Sequence, residues 1–159
     1  MPRKKVTFSS RQGPRSYQED FSIHIPIQES KVQGWLLAVM DGHGGPEVSE
    51  LIAQETGKTF KIKDVRKSEE ALSNLVSVLN AKTVHFRDVG STLSVVCVVR
   101  GPSGGFRASV AVLGDSPIVV LDKNGKLHIS PEHNIRSNIQ ERQAAEQRGG
   151  VCMGGYLYL

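Results

Sequence analysis

The chain is short of everything that marks a specialised architecture. It has only two cysteines in 159 residues, Cys97 inside the apolar run 95–99 and Cys152 after Gly149-Gly150. They have neither the density of a disulfide scaffold nor the spacing of a metal site. Cys97 reads as a small buried core residue. The start, Met1-Pro2-Arg3-Lys4-Lys5, lacks an apolar signal region, so a reducing compartment, cytoplasmic or nuclear, is expected. No apolar run approaches the roughly 20 residues of a membrane span, and no membrane partner is expected. Neither charge sign dominates: 20 Lys+Arg against 16 Asp+Glu leave a formal net charge of +4. Lys58, Lys61, Lys63, Arg66 and Lys67 form the densest basic cluster. It reads as a solvated loop, with a docking patch for an acidic or phosphorylated partner as the alternative. Aromatics are 6% of the chain, and only Phe60 interleaves with these cations, so nucleic acid is not an expected partner.

What is present is a globular domain with 38% hydrophobic residues and enough length for one core, read as a single domain over 1–159. Phe21, Ile23, Ile25 and Ile27 alternate with polar residues and Pro26, which predicts a half-buried strand at a sheet edge. Residues 34–40 predict a fully apolar strand. A helix is expected to start at Pro46 and end at Gly57, with Val48, Leu51, Ile52 and Glu55 as its stripe; a second runs from Ser68, as N-cap, to about Asn80. Residues 91–100, 106–113 and 117–121 read as Val-rich strands. Asn124-Gly125 predicts a two-residue hairpin turn, and a third helix is expected over 137–148, closed by Gly149. Two consecutive helices between strands and hairpins argue for an α+β fold.

The strand 34–40 ends in Asp41-Gly42-His43-Gly44-Gly45. A carboxylate at a strand end, beside glycines that allow close backbone approach, suits a hard divalent cation. A neighbouring histidine can move protons at neutral pH. A polar Asp-Gly turn is the alternative. Further motifs accompany it in order: Arg15-Ser16-Tyr17-Gln18-Glu19-Asp20 before the first strand, Gly90-Ser91-Thr92, Gly114-Asp115-Ser116, and a weaker Glu132-His133 followed by Glu141, Arg142 and Gly149-Gly150.

In that order the motifs resemble the metal-dependent protein serine/threonine phosphatases of type 2C, over nearly the whole chain. The resemblance implies a four-layer sandwich, two antiparallel sheets face to face with helices outside, and a binuclear Mg²⁺ or Mn²⁺ centre that cleaves phosphoserine and phosphothreonine in a phosphorylated protein substrate. It assigns the bridging carboxylate to Asp41, a backbone carbonyl ligand to Gly42, and metal-holding roles to Glu19 and Asp20. Thr92 and Asp115 match positions linked to a weaker metal. Arg15 matches the arginine that grips phosphate, and His43 the group that protonates the leaving oxygen. A surface ion pair is the alternative for Arg15 and Glu19, and a strand-start hydroxyl and a turn aspartate are those for Thr92 and Asp115. His24, His85, His128 and His133 show no partner pattern. Pro117 stands where the family has arginine, and Gln18 and Glu132 also depart from its pattern. Two further metal-binding aspartates of the family lie beyond Leu159, and the apolar end 156–159 reads as the start of more structure. An incomplete phosphatase domain is therefore expected, with a non-catalytic phosphatase-like binding module as the rival reading.

Overall fold

The computed structural model describes residues 6–29, 32–63, 65–154 and 156–158. Strands β1 (Phe21–Glu29) and β2 (Val32–Met40) form an antiparallel hairpin, with Phe21 opposite Met40. The short strand β3 (Gly42–His43) follows directly, then helix α1 (Glu47–Thr59). A 3-10 turn (Val65–Lys67) leads into helix α2 (Ser68–Thr83). Next come β4 (Gly90–Ser91), β5 (Leu93–Arg100) and β6 (Phe106–Leu113). The ribbon of β7 (Val119–Leu121) and β8 (Leu127–Ile129), helix α3 (Ile139–Gln147), and the ribbon of β9 (Val151–Met153) and β10 (Tyr156–Tyr158) complete the described chain. The main sheet has the order β1-β2-β5-β6 with every neighbouring pair antiparallel. This is an α+β fold, and Pro26 sits in an edge strand, where its missing N–H is harmless.

Alternation along the strands decides where the core lies. Leu36, Ala38 and Met40 of β2, with Val95, Cys97 and Val99 of β5, point to one face and are buried. Val48 and Ile52 of α1 and Leu72, Leu75 and Leu79 of α2 cover that face. The opposite face carries Trp35, Leu37, Val39, Val96, Val98 and Val110; Val39 is 48% exposed and Val110 43%. Of the four layers implied by the resemblance, the described residues thus build a helix layer and one large sheet, and the second face stays open among them.

Several boundaries differ from expectation, each for a packing reason. Helix α1 runs through Gly57 to Thr59. A mid-helix glycine costs about 1 kcal/mol, but a Cβ there would stand 3.3 Å from Ile25 Cδ1, so glycine lets the helix lie close on β1. Lys67, not Ser68, occupies the N-cap of α2. The buried Ser68 hydroxyl instead meets Ser109 Oγ of β6 at 2.6 Å, tying the helix start to the sheet. The hairpin at Asn124-Gly125 exists but is wider than two residues. Asp122 N–H donates to the Lys126 carbonyl, and the Asp122 carboxylate accepts from Asn124 N–H at 2.8 Å. Helix α3 starts later than Ser137, because Asn138 caps it by accepting from Gln140 and Glu141 N–H. Its end is closed by Gly149 and Gly150, whose N–H groups donate to Glu146 and Ala145 carbonyls. His128 and His133 do have partners, Asp122 at 3.1 Å and Glu141 at 2.7 Å. Tyr156–Tyr158 forms a strand against β9, while Gly155 and Leu159 lie outside the described residues.

Candidate active site

The ends of β2 and β5 lie side by side, and the site is built where they run out. Asp41 follows the last residue of β2. Its N–H donates to Thr92 Oγ1 at 3.1 Å, and its carbonyl accepts from Thr92 N–H at 2.9 Å and Ser91 Oγ at 3.3 Å. Thr92 Oγ1 lies 3.3 Å from Ser116 Oγ, and Ser94 Oγ donates to the Ser116 carbonyl. The backbone of Asp41 is therefore clamped by the Gly90-Ser91-Thr92 motif, which Ser116 of the third glycine-led motif buttresses from behind through Thr92. Thr92, expected near a weaker metal, is placed under the backbone of Asp41.

Gly42 is buried and in close contact with the Glu19-Asp20 segment. A Cβ on it would run into the Glu19 carbonyl and stand 2.6 Å from Ser49 Oγ. The fully buried Ser49, in the first turn of α1, donates its hydroxyl to Glu19 O at 2.5 Å and to Pro46 O at 3.0 Å. One serine thus locks the acidic segment, the glycine-rich turn and the helix start together. Gly44 and Gly45 turn the chain with φ of +77° and +148°, which L side chains rarely adopt. His43 pairs with Gly90 across β3 and β4, and its exposed ring lies where a Cβ of Gly90 would be.

The side chains converge unevenly. Asp20 and Asp41 line one open cleft of about 330 Å³, together with Ser10, Arg11 and Ser116. The Asp41 carboxyl is pushed up from its ordinary value by partial burial first, then by the charges of Asp20 and Asp115 and a hydrogen bond with Asp20; His43 opposes the rise. Asp115 is itself held by Asn134 Nδ2 at 2.9 Å. Glu19 turns its carboxylate to Arg15, 3.9 Å away, and Arg15 is 78% exposed. The surface ion pair that was the alternative for these two residues is present, and among the described residues the cation lining the cleft is Arg11. Arg11 and Ser49 were missed from the sequence. Ser49 had a signal, a small polar residue on the buried stripe of α1; Arg11 had none, because only the fold of the first twenty residues brings it to Asp20. Gln12 Nε2 donates to Arg15 O and Gln18 Nε2 to Ser10 Oγ, which hold that segment in its bend.

Among the described residues no three His, Cys, Asp or Glu side chains converge to hold a metal by themselves. What fits a hard cation is the facing pair Asp20 and Asp41, whose mutual repulsion an ion relieves. Mg²⁺ commonly binds through one or two carboxylates and keeps several waters, so a pair in an open cleft suits it.

The antiparallel sheet with two helices on one face is a fold found in a solved structure, and the sequence has known relatives. A family model described as "Protein phosphatase 2C" matches residues 4–158. The chain belongs to the protein phosphatase 2C family. It is similar to "Probable protein phosphatase 2C 59" of Oryza sativa subsp. japonica, 32% identical over 92% of this chain and 45% of the relative. It is also similar to "Probable protein phosphatase 2C member 13, mitochondrial" of the same organism, 31% identical over 94% and 41%. Among solved structures, "Structure of a C.elegans sex determining protein" superposes with a TM-score of 0.66 at 29% identity, over 90% of this chain and 38% of that one. The chain spans less than half the length of these proteins.

Proposed function

We propose that this chain carries part of the active site of a metal-dependent protein serine/threonine phosphatase, acting on phosphoserine and phosphothreonine. The observation that carries the reading is the Asp20–Asp41 pair in one cleft, with Asp41 fixed through its backbone and its carboxyl raised by partial burial and then by neighbouring negative charge. Asp20, Asp41 and the Gly42 carbonyl would hold Mg²⁺ or Mn²⁺, with Asp115 and Glu19 nearby as outer carboxylates. Such ions, when bound, would supply charge neutralisation and an activated water. The chain's own residues do the rest. Arg11, on the cleft wall, and Arg15, free to swing from an exposed ion pair, supply planar donors for phosphate oxygens. His43, exposed beside Asp41, is placed to give a proton to the departing serine or threonine oxygen. Ser49 and Thr92 position the acidic groups without touching substrate.

The test has two arms. Calorimetry with Mn²⁺ compares the chain with its Asp41→Ala variant; heats that vanish with the substitution support the site, and equal heats remove Asp41 from it. Phosphate release from a phosphothreonine peptide is then measured with and without Mn²⁺, on the chain and on a chimera extended with the downstream segment of a relative. Turnover that requires Mn²⁺ and falls in His43→Ala supports the phosphatase reading. Metal binding without turnover in either protein favours the non-catalytic binding module.

A further inference from the structure

At the opposite pole of the sheet lies a cleft of about 560 Å³ that the phosphatase reading does not use. Its walls combine Val32, Val65 and Pro102 with Gln33, Lys63 and Arg100. The chain builds it from simple alternation. Phe60 and Ile62 are buried anchors, so Lys61 and Lys63 between and after them are forced outward. Arg100 ends β5, where the tight turn 101–105 is closed by Gly101 N–H donating to Gly105 O at 2.8 Å.

Three nearby cations already have carboxylate partners: Lys58 pairs with Glu55, Lys67 with Glu70 and Arg107 with Glu69. Lys63 and Arg100 have no ion-pair partner among the described residues, and no carboxylate is among the described residues that line the cleft. Two unpaired cations facing one concave space with apolar walls form a receptor for a chain that alternates carboxylates with apolar side chains. Arg100 offers a planar fork for one carboxylate and Lys63 a point charge for a second. A membrane surface is a poorer match, because the cations line a concavity rather than a flat face.

We propose that this cleft is a docking site for an extended acidic peptide segment of a partner protein. Gln33 precedes Asp41 by eight residues along β2, a distance of about 26 Å at ~3.3 Å per strand residue. If the cleft recruits phosphatase substrates, a corollary that rests on the preceding reading, the acidic stretch lies at least about eight extended residues from the phosphorylated one.

The experiment is direct binding, which needs no metal and no turnover. A fluorescein-labelled peptide alternating Glu with Leu and Val is titrated with the chain and followed by anisotropy. Saturable binding that weakens with salt is expected. It should fall at least tenfold in Lys63→Glu/Arg100→Glu and by less in the milder Lys63→Gln/Arg100→Gln, and stay unchanged in the control Lys123→Glu/Lys126→Glu on the β7–β8 turn. Thermal melts of each variant separate lost binding from lost fold. Absence of saturable binding, equal losses in cleft and control variants, or binding to anionic vesicles or single-stranded oligonucleotides with the peptide unbound would each overturn the proposal. Asp41→Ala leaves the peptide affinity unchanged, so failure here and failure of the metal site are told apart.

Discussion

Replacing Asp41 by Asn should make the metal-free protein more stable and the metal-saturated protein less so. The Asp41 carboxyl is raised by burial and by Asp20 and Asp115, so at neutral pH its charge opposes folding. The sign follows from linkage. A group whose folded pKa is raised favours the fold below its unfolded value of 3.8, and that contribution is lost as pH climbs through the higher folded value. Two carboxylates in contact repel by about 1 kcal/mol at 4 Å in water and by about 4 at an effective dielectric of 20. Asp20 and Asp41 are both exposed, so the lower figure applies. For a chain of this length 1 kcal/mol moves Tm by about 2–4 °C, the rise expected for metal-free Asp41→Asn at pH 7. Mn²⁺ at a hundred times its Kd adds about 2.7 kcal/mol to the unsubstituted protein, or about 5–10 °C, and should add little to Asp41→Asn. The assay is differential scanning calorimetry in EDTA and in Mn²⁺, with Asp20→Asn as a parallel variant. A lower Tm for metal-free Asp41→Asn, or a Mn²⁺ shift that survives the substitution, would refute the reasoning.

Gly42→Ala should lower stability by roughly 1–3 kcal/mol, as overpacking does, because its Cβ meets the Glu19 carbonyl and Ser49 Oγ; denaturant melts read this, and the Mn²⁺ shift should shrink with it. Gly90→Ala should push the His43 ring from its place, which NMR of the imidazole protons detects, while the Mn²⁺ shift is retained. Arg11→Ala should weaken phosphothreonine-peptide binding several-fold and leave Mn²⁺ binding in place, since Arg11 lines the cleft but, as a cation, is no metal ligand. Glu55 is held down to about 2 by hydrogen bonds from Lys58 and Lys82, each at 2.7 Å. Its stabilising contribution is present above 4.5 and lost as pH falls through about 2, so Glu55→Gln should flatten the stability profile across that window, measured by urea melts.

The readable parts of this chain were those where one local pattern answers to one physical cause. The alternation of Phe21, Ile23, Ile25 and Ile27 and the unbroken apolar run before Asp41 require a sheet with one buried face, and β1 and β2 form it. The placement of Asp41, Gly42 and His43 at a strand end was legible because an apolar strand followed by glycines is a local statement. What escaped was set by contacts between distant segments. Gly57 looked like a helix stop because its packing partner, Ile25, lies 32 residues earlier. Ser68 looked like a cap because its hydroxyl partner is Ser109 on another strand. His133 looked partnerless because Glu141 comes within 2.7 Å only after Asn138 starts a helix between them.

The same contrast explains why Arg15 and Arg11 exchanged prominence. Motif spacing identifies Arg15, four residues before Glu19, and that spacing also lets the two side chains pair in the bend that precedes β1. An exposed ion pair of this kind is worth little, between about 0 and 1 kcal/mol. On the proposed phosphatase function, a dianionic phosphate in the cleft would compete with a single carboxylate for the guanidinium, and the pair would be a resting place that substrate displaces. Arg11 needs no such displacement, since its segment is already folded over Asp20 by the Gln18–Ser10 hydrogen bond. The two arginines therefore separate experimentally. Loss of Arg15 should be partly rescued by Glu19→Gln in Arg11-containing protein, because the freed Glu19 charge no longer repels phosphate. Loss of Arg11 should be rescued more fully by that change, because it removes the Glu19 charge and also releases Arg15 from its ion pair. Inhibition of phosphothreonine-peptide binding by inorganic phosphate, measured across the four variants, reads this directly, and equal rescue in both backgrounds would refute the division of labour.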